Sequence, residues 1–248
     1  LYVSTSGNDS NAGTSSSAPL KTLAAAAAKA KAGTTVMIAG GTYYEQLVTK
    51  VGGSAGQEIV FQSYNGTAVI DGSKLGWKVH SNQNQGLVEL RHPYVKLKGL
   101  KIVNSNNTGV LLNHDNLTVD SCEIAQIQWH AISTETSRQT GYNNGKMIRN
   151  AVIRGNDIHH ATIYGDGQVV SLVADGFTVS GNKIHDNKKE GIDIWLGAKH
   201  GEVVDNTVYN NSVGIFVDGA SYVRIHRNRA YNNVKAGIGV SSEDVRYS

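Results

Sequence analysis

Chemistry in this sequence can come from a small set of side chains between residues 130 and 200. Lys199 and His200 are adjacent, Tyr164 stands just before Gly165-Asp166-Gly167, and His159 precedes His160. His130, Arg154, Asp193 and Trp195 complete the set. Histidine, lysine and tyrosine pass protons. An arginine fork fits a carboxylate, and an aromatic face suits a sugar ring. Adjacent histidines on an extended strand point to opposite sides, so one of His159 and His160 lines a groove and the other is structural. The glycines beside Tyr164 let its ring overhang a groove. Zinc is disfavoured, because neither His-x-x-x-His nor Cys-x-x-Cys spacing occurs.

The elements that must hold these residues form a repeat. Gly191-Ile192-Asp193-Ile194-Trp195, Gly214-Ile215-Phe216-Val217-Asp218 and Gly237-Ile238-Gly239-Val240-Ser241 sit 23 residues apart, with apolar residues at alternate positions. Asn156, Asn182, Asn206 and Asn228 open a second repeat, and His185-Asp186-Asn187, Tyr209-Asn210-Asn211 and Tyr231-Asn232-Asn233 a third that reads as a polar turn. Strand, turn, strand, turn with a period in the low twenties is the signature of a parallel β-helix. The first asparagine set is expected to stack at one turn in a structural role. Alternation places Ser133, Val170, Asp193, Phe216 and Gly239 outward, with Ile132, Val169, Ile192, Ile215 and Ile238 inward. Two coils carry extra residues, 136–145 and 159–168, and such insertions become flanking loops where binding groups collect. By stacking, Tyr164 is expected near Lys199, with Arg154 close by.

Upstream, Thr22 to Lys31 reads as the one convincing helix: Thr22 as N-cap, a run of alanines, and Gly33 as the stop. It is expected to cap the open core, with the N-terminal cap covering about residues 1–35 of a single domain spanning 1–248. Composition fits this all-β class, with 28 glycines in 248 residues. Cys122 is the only cysteine, which excludes an intrachain disulfide, and its place in the asparagine repeat makes it a small buried filler. No apolar run reaches the roughly 18 residues that a membrane span needs. Lys and Arg total 23 against 20 for Asp and Glu, with a pI near 8.8, a mild excess that suits an anionic partner. Because the sequence starts inside a strand-like run and stops within another coil, the natural chain is expected to extend further.

The repeats, the Tyr-Val-Ser…Gly-Asn-Asp opening with its Pro-Leu-Lys-Thr-Leu helix, and the Gly-Ile-Asp-Ile-Trp coil together resemble the right-handed parallel β-helix polysaccharide lyases, most closely the small alginate lyases. The resemblance implies β-elimination at a uronate by a secreted or extracellular monomer acting on an anionic polysaccharide, without nucleic acid or membrane partners. Lys199 and Tyr164 would share the base and acid roles. Arg154, His200, His159 and His130 would meet the substrate carboxylate, and Asp193 and Trp195 would line the site. Calcium-dependent pectate lyases of this fold carry paired aspartates just before the Gly-apolar-Asp strand, where this chain has Lys189 and Glu190. The resemblance therefore implies no cofactor, with calcium at Asp193 and Glu190 as the alternative. A pectate lyase, a polyuronate C5-epimerase and a non-catalytic carbohydrate-binding β-helix are the other readings.

Overall fold

The computed structural model describes residues 1–79, 84–134, 147–165 and 167–241. Within them the chain winds through parallel strands into a solenoid of about eight turns, each visiting three strand rows. Row I ends with Leu117–Asp120, Ile148–Arg154, Ala174–Ser180, Lys199–Val204 and Ser221–His226. Row II holds Lys101–Ser105, Glu123–Ile127, Asp157–His159, Lys183–His185, Thr207–Tyr209 and Arg229–Tyr231. Two long early strands, Thr35–Tyr43 and Ile59–Asp71, run through both rows and join them into one sheet. Row III contains eight strands from Leu47–Val48 to Ala236–Ser241.

The corner between rows I and II is the most regular part. A residue in left-handed conformation turns the chain at Ser121, Gly155, Gly181, Asp205 and Arg227, with φ between 55° and 64°. The next side chain then points into the corner. Asn156, Asn182 and Asn206 are each 1 % exposed, so their amides need partners inside the protein. They find them in one another: the Oδ1 of each rung accepts from the backbone N–H of the rung before, at 2.9–3.0 Å from Cys122 to Asn228. The Nδ2 groups of Asn156, Asn182 and Asn206 donate to the next Oδ1. Cys122 is the first rung, buried as expected. The third sequence repeat builds a shorter ladder at the next corner, where Asn187 and Asn211 donate onward to Asn211 and Asn233.

The core is one run of buried, mainly aliphatic side chains from Val3 to Ile215. At its first end lies the helix Leu23–Lys29 with Leu23, Ala26 and Ala27 buried. The Thr22 hydroxyl caps it by accepting from the Ala25 N–H at 3.1 Å, and the Glu45 carboxylate accepts from the N–H groups of Leu23 and Ala24. The helix stops at Ala30, where ψ turns to 149°, before Gly33, which serves the following turn at φ 79°.

In row III, Ile132 pairs with Val170 and Ser133 with Ser171, which in turn meets Asp193. The outward column is therefore Ser133, Ser171, Asp193, Phe216 and Gly239, one residue later at this coil than the apolar run 169–173 suggests. That unbroken run carries no alternation to fix its own register, and a one-residue slip exchanges the faces.

Candidate functional site

Six residues before each rung of the first ladder, Cys122 included, stand Asn116, Asn150, Gly176, His200 and Tyr222. All five are left-handed, with φ from 54° to 77°. A left-handed residue breaks strand alternation, and here it builds a column of side chains on the outer surface where row I begins. The Asn150 amide donates to Asn116 Oδ1 at 2.9 Å. The His200 and Tyr222 rings stack at 5.3 Å with 19° between their planes. Gly176, between the two pairs, contributes no side chain.

That gap opens a concavity of about 580 Å³. Asn150 stands on one side and His200 with Tyr222 on the other, with Thr178, Glu202 and Arg224 from the neighbouring outward column. The sheet beneath is sealed by Phe177, 4 % exposed, whose ring fills the space where a side chain on Gly201 would sit: a Cβ there would lie 2.0 Å from Phe177 Cζ.

Charge gathers at the same edge. His200 Nδ1 lies 2.7 Å from Asp175 Oδ1, and Lys199 Nζ lies 3.7 Å from Asp175 Oδ2. The His200 hydrogen bond, together with the Lys199 charge, holds the Asp175 carboxyl below its ordinary value. Asp175 is thus an ionised carboxylate that orients a half-exposed imidazole. Arg224 makes no ion pair among the described residues, and its charge is felt by Glu202.

The other residues singled out from the sequence lie elsewhere. Lys199 opens the strand Lys199–Val204 and pairs in register with Asp175, which pairs with Arg149. Arg154 is therefore at the opposite end of row I, roughly 16 Å along the strand. Its guanidinium and the Lys96 ammonium share Asp120, at 2.8 and 2.6 Å. Burial raises the Asp120 carboxyl, but hydrogen bonds from Arg154, Lys96 and Ser121 outweigh it and hold the group well below the usual carboxylate range. Tyr164, 67 % exposed, precedes the strand Val170–Leu172, whereas Lys199 follows its partner Ile192–Trp195. The two flank row III on opposite edges.

His130 is 3 % exposed, with Nδ1 beside the Gln168 carbonyl and amide at 2.8 and 3.1 Å, so it anchors the loop rather than lining a groove. His159 and His160 do not diverge: His160 is left-handed at φ 51°, and the two Nδ1 atoms come within 2.8 Å. His159 also begins a stack on row II with His185, Tyr209 and Tyr231 at 4.8–5.2 Å spacing, which covers the face of its ring toward His185. Asp193 faces outward yet is 3 % exposed, and Trp195 Nε1 donates to Ser171 Oγ at 3.0 Å beside it. Residues 136–145, the first insertion, lie outside the described residues.

Lys189 precedes Glu190 in the chain, and no group of three or more His, Cys, Asp or Glu arranged to hold a metal occurs among the described residues. Asp175, Gly176, Tyr222 and Arg224 escape a reading built on repeats, because their columns share no residue type. The constant six-residue offset of the left-handed positions 116, 150, 176, 200 and 222 from the ladder is the signal that locates the first-row column.

A family model described as the Pel9A-like right-handed β-helix region matches residues 1–224. The uncharacterized protein YwoF of Bacillus subtilis (strain 168) is 33 % identical over 98 % of this chain and 64 % of its own length. Pectate lyase PEL9 of Emericella nidulans is 26 % identical over 84 % of this chain and 52 % of its own. The chain thus spans between half and two thirds of these curated relatives. The crystal structure of pectate lyase Pel9A superposes with a TM-score of 0.74 at 18 % identity, covering 97 % of this chain and 67 % of that one, a likeness of fold. Eight parallel coils, buried asparagine rungs at their corners and a family match over nine tenths of the sequence converge: this chain belongs to the Pel9A-like right-handed β-helix family.

Proposed function

We propose that the protein is a polysaccharide lyase acting on uronate-containing polymers, with pectate and alginate standing equally as substrate. The observation that carries this is the Asp175–His200 pair at the mouth of a concavity flanked by Lys199 and Arg224. With Nδ1 donating to Asp175, His200 Nε2 holds the lone pair of a general base. It takes the C5 proton of a uronate, the C5–H electron pair becomes the C4=C5 double bond, and the C4–O bond breaks. Lys199 supplies the proton that the departing oxygen needs. Arg224 neutralises the charge that builds on the uronate carboxylate. The mildly basic chain favours such polyanions. Tyr164, across row III, stays outside this chemistry. We put the protein outside the cell, where a polymeric substrate of this kind is met; no helix among the described residues is long and apolar enough to cross a membrane.

The test is ultraviolet absorbance of unsaturated uronate after incubation with pectate and with alginate, each with and without a chelator. Absorbance is expected to rise on at least one polymer and to survive chelation. Loss on chelation with recovery by calcium would transfer the chemistry to Asp193 and Glu190. Sugar binding without product would instead favour the non-catalytic reading, which the separation of Lys199 from Tyr164 supports.

A further inference from the structure

We infer that Gly176 is a specificity-determining position: its missing side chain makes a slot, one residue wide, that receives a single uronate ring between Asn150 and His200. This rests on the proposed function and assigns the ring's place within it. The column that Gly176 interrupts is otherwise continuous. Asn116 bonds to Asn150 on one side, and His200 stacks on Tyr222 on the other. Stacking occupies one face of the His200 ring, and the face toward Gly176 is left for a ligand. Strands repeat every 4.8 Å or so, so removing one side chain from such a column leaves two such spacings between Asn150 and His200, room for one further ring layer.

The surroundings suit a pyranose. The C–H face of the sugar lies on the imidazole, and its hydroxyls meet the Asn150 amide and Thr178. A carboxylate at C5 points to Arg224, the arginine of the lining, which makes no ion pair among the described residues. The volume of about 580 Å³ lies within the range of small-molecule sites. The Nε2 lone pair lies in the imidazole plane, away from anything stacked on the ring face, so the ring held in this slot is the chain neighbour of the uronate whose C5–H meets His200.

Glycine at 176 is not demanded by the backbone alone. Its φ of 77° is a region that asparagine tolerates, and asparagine occupies it at 116 and 150. A Cβ at 176 would lie 3.1 Å from Asn150 Oδ1, the movable end of a side chain. Gly176→Asn should therefore fold and fill the slot with an amide. Gly181→Asn is the control: Gly181 is also left-handed, at φ 63°, lies in the same coil, and its Cβ would meet nothing within 4 Å.

Both variants are compared with the parent by thermal unfolding, by calorimetric titration with oligogalacturonate and oligoalginate, and by kcat and KM for unsaturated product. Gly176→Asn is expected to weaken binding and raise KM by roughly tenfold or more, with its unfolding temperature retained; Gly181→Asn should match the parent. Normal KM and affinity in a folded Gly176→Asn overturn the slot while leaving the lyase reading intact. Binding lost in Gly176→Asn although the parent makes no unsaturated product upholds the slot and overturns the lyase. A parent that neither binds nor cleaves either oligomer overturns both. If Gly176→Asn is unfolded, Thr178→Gln, which narrows the slot from the neighbouring outward column without altering a left-handed position, takes its place with the same readouts.

Discussion

Two columns of left-handed residues run along this solenoid five positions apart, and they use the same backbone device to opposite ends. At the corner between rows I and II the residue after the turn points inward, and it is asparagine in coil after coil. At the start of row I the left-handed residue itself points outward, and its identity changes from asparagine to glycine to histidine to tyrosine. Burial explains the difference. An inward amide stays only where every donor and acceptor is met, so one residue type is repeated. An outward side chain answers to solvent, so its type is free to vary from coil to coil, and the proposed site lies where it varies.

Breaking the inward column should have the largest effect. Asn182 Oδ1 accepts from the N–H and Nδ2 of Asn156, and its Nδ2 donates to Ile153 O and Asn206 Oδ1. Asn182→Ala leaves several buried groups unpaired at about 1–3 kcal/mol each. A loss of about 3–5 kcal/mol in urea unfolding is expected. A loss under about 1 kcal/mol would mean that water or a backbone shift replaces the rung, and that the two columns differ less than their burial implies.

Breaking the outward column should spare the fold and strike turnover. His200→Ala removes the proposed base and half of a stacked pair, with a fall in kcat of roughly a hundredfold or more on the responsive polymer. Stability should move by only about 0.5 kcal/mol, as for other exposed positions. Near-normal turnover in this variant would remove His200 from the chemistry and return attention to Lys199.

The inward column is what the sequence displays. Identical asparagines at 22 to 26 residue intervals, glycine-led apolar runs and a Thr22-capped alanine helix announce the coils, the ladder and the cap, because each is repeated or locally encoded. What the sequence conceals is single-copy or conformational. His160 carries no mark of its left-handed backbone, so His159 and His160 read as diverging when they touch. The run 169–173 has no alternation, so its register slips by one. Arg154 and Lys199 are close in coil number yet at opposite ends of a row, a separation that becomes evident only when the strand between them is drawn.

A smaller effect separates the charged end of row I from the start where the site is proposed. Asp120 is held below the ordinary carboxyl value by Arg154 and Lys96 against the cost of burial. A carboxyl depressed in the folded state adds stability that is complete above its unfolded value of about 3.9 and disappears as pH falls through the lower folded value. Asp120→Asn should therefore cost roughly 2 kcal/mol at neutral pH and flatten the decline in stability below about pH 4. An unchanged acid limb would show that Asp120 is not among the groups that set it. Turnover near neutrality should follow the parent, since Asp120 lies at the other end of the row from Asp175.

The smallest effect concerns the first rung, where the ladder changes residue type. Cys122 takes the inward position without an amide: its N–H donates to Asn156 Oδ1 at 2.9 Å, and its thiol reaches only the Asp120 carbonyl, at 3.4 Å. Burial pushes the thiol up to about 12. Alkylating reagents attack the thiolate, so this cysteine is shielded twice, by access and by protonation. Native protein at pH 8 is expected to resist iodoacetamide over hours, whereas urea-unfolded protein should label completely. Cys122→Ala should cost about 1 kcal/mol, the loss of one small buried group, because the rung's backbone hydrogen bond to Asn156 survives. Rapid labelling of the native protein would reveal local opening at the ladder's first rung, and the contrast between a closed inward column and an accessible outward one would then hold only from Asn156 onward.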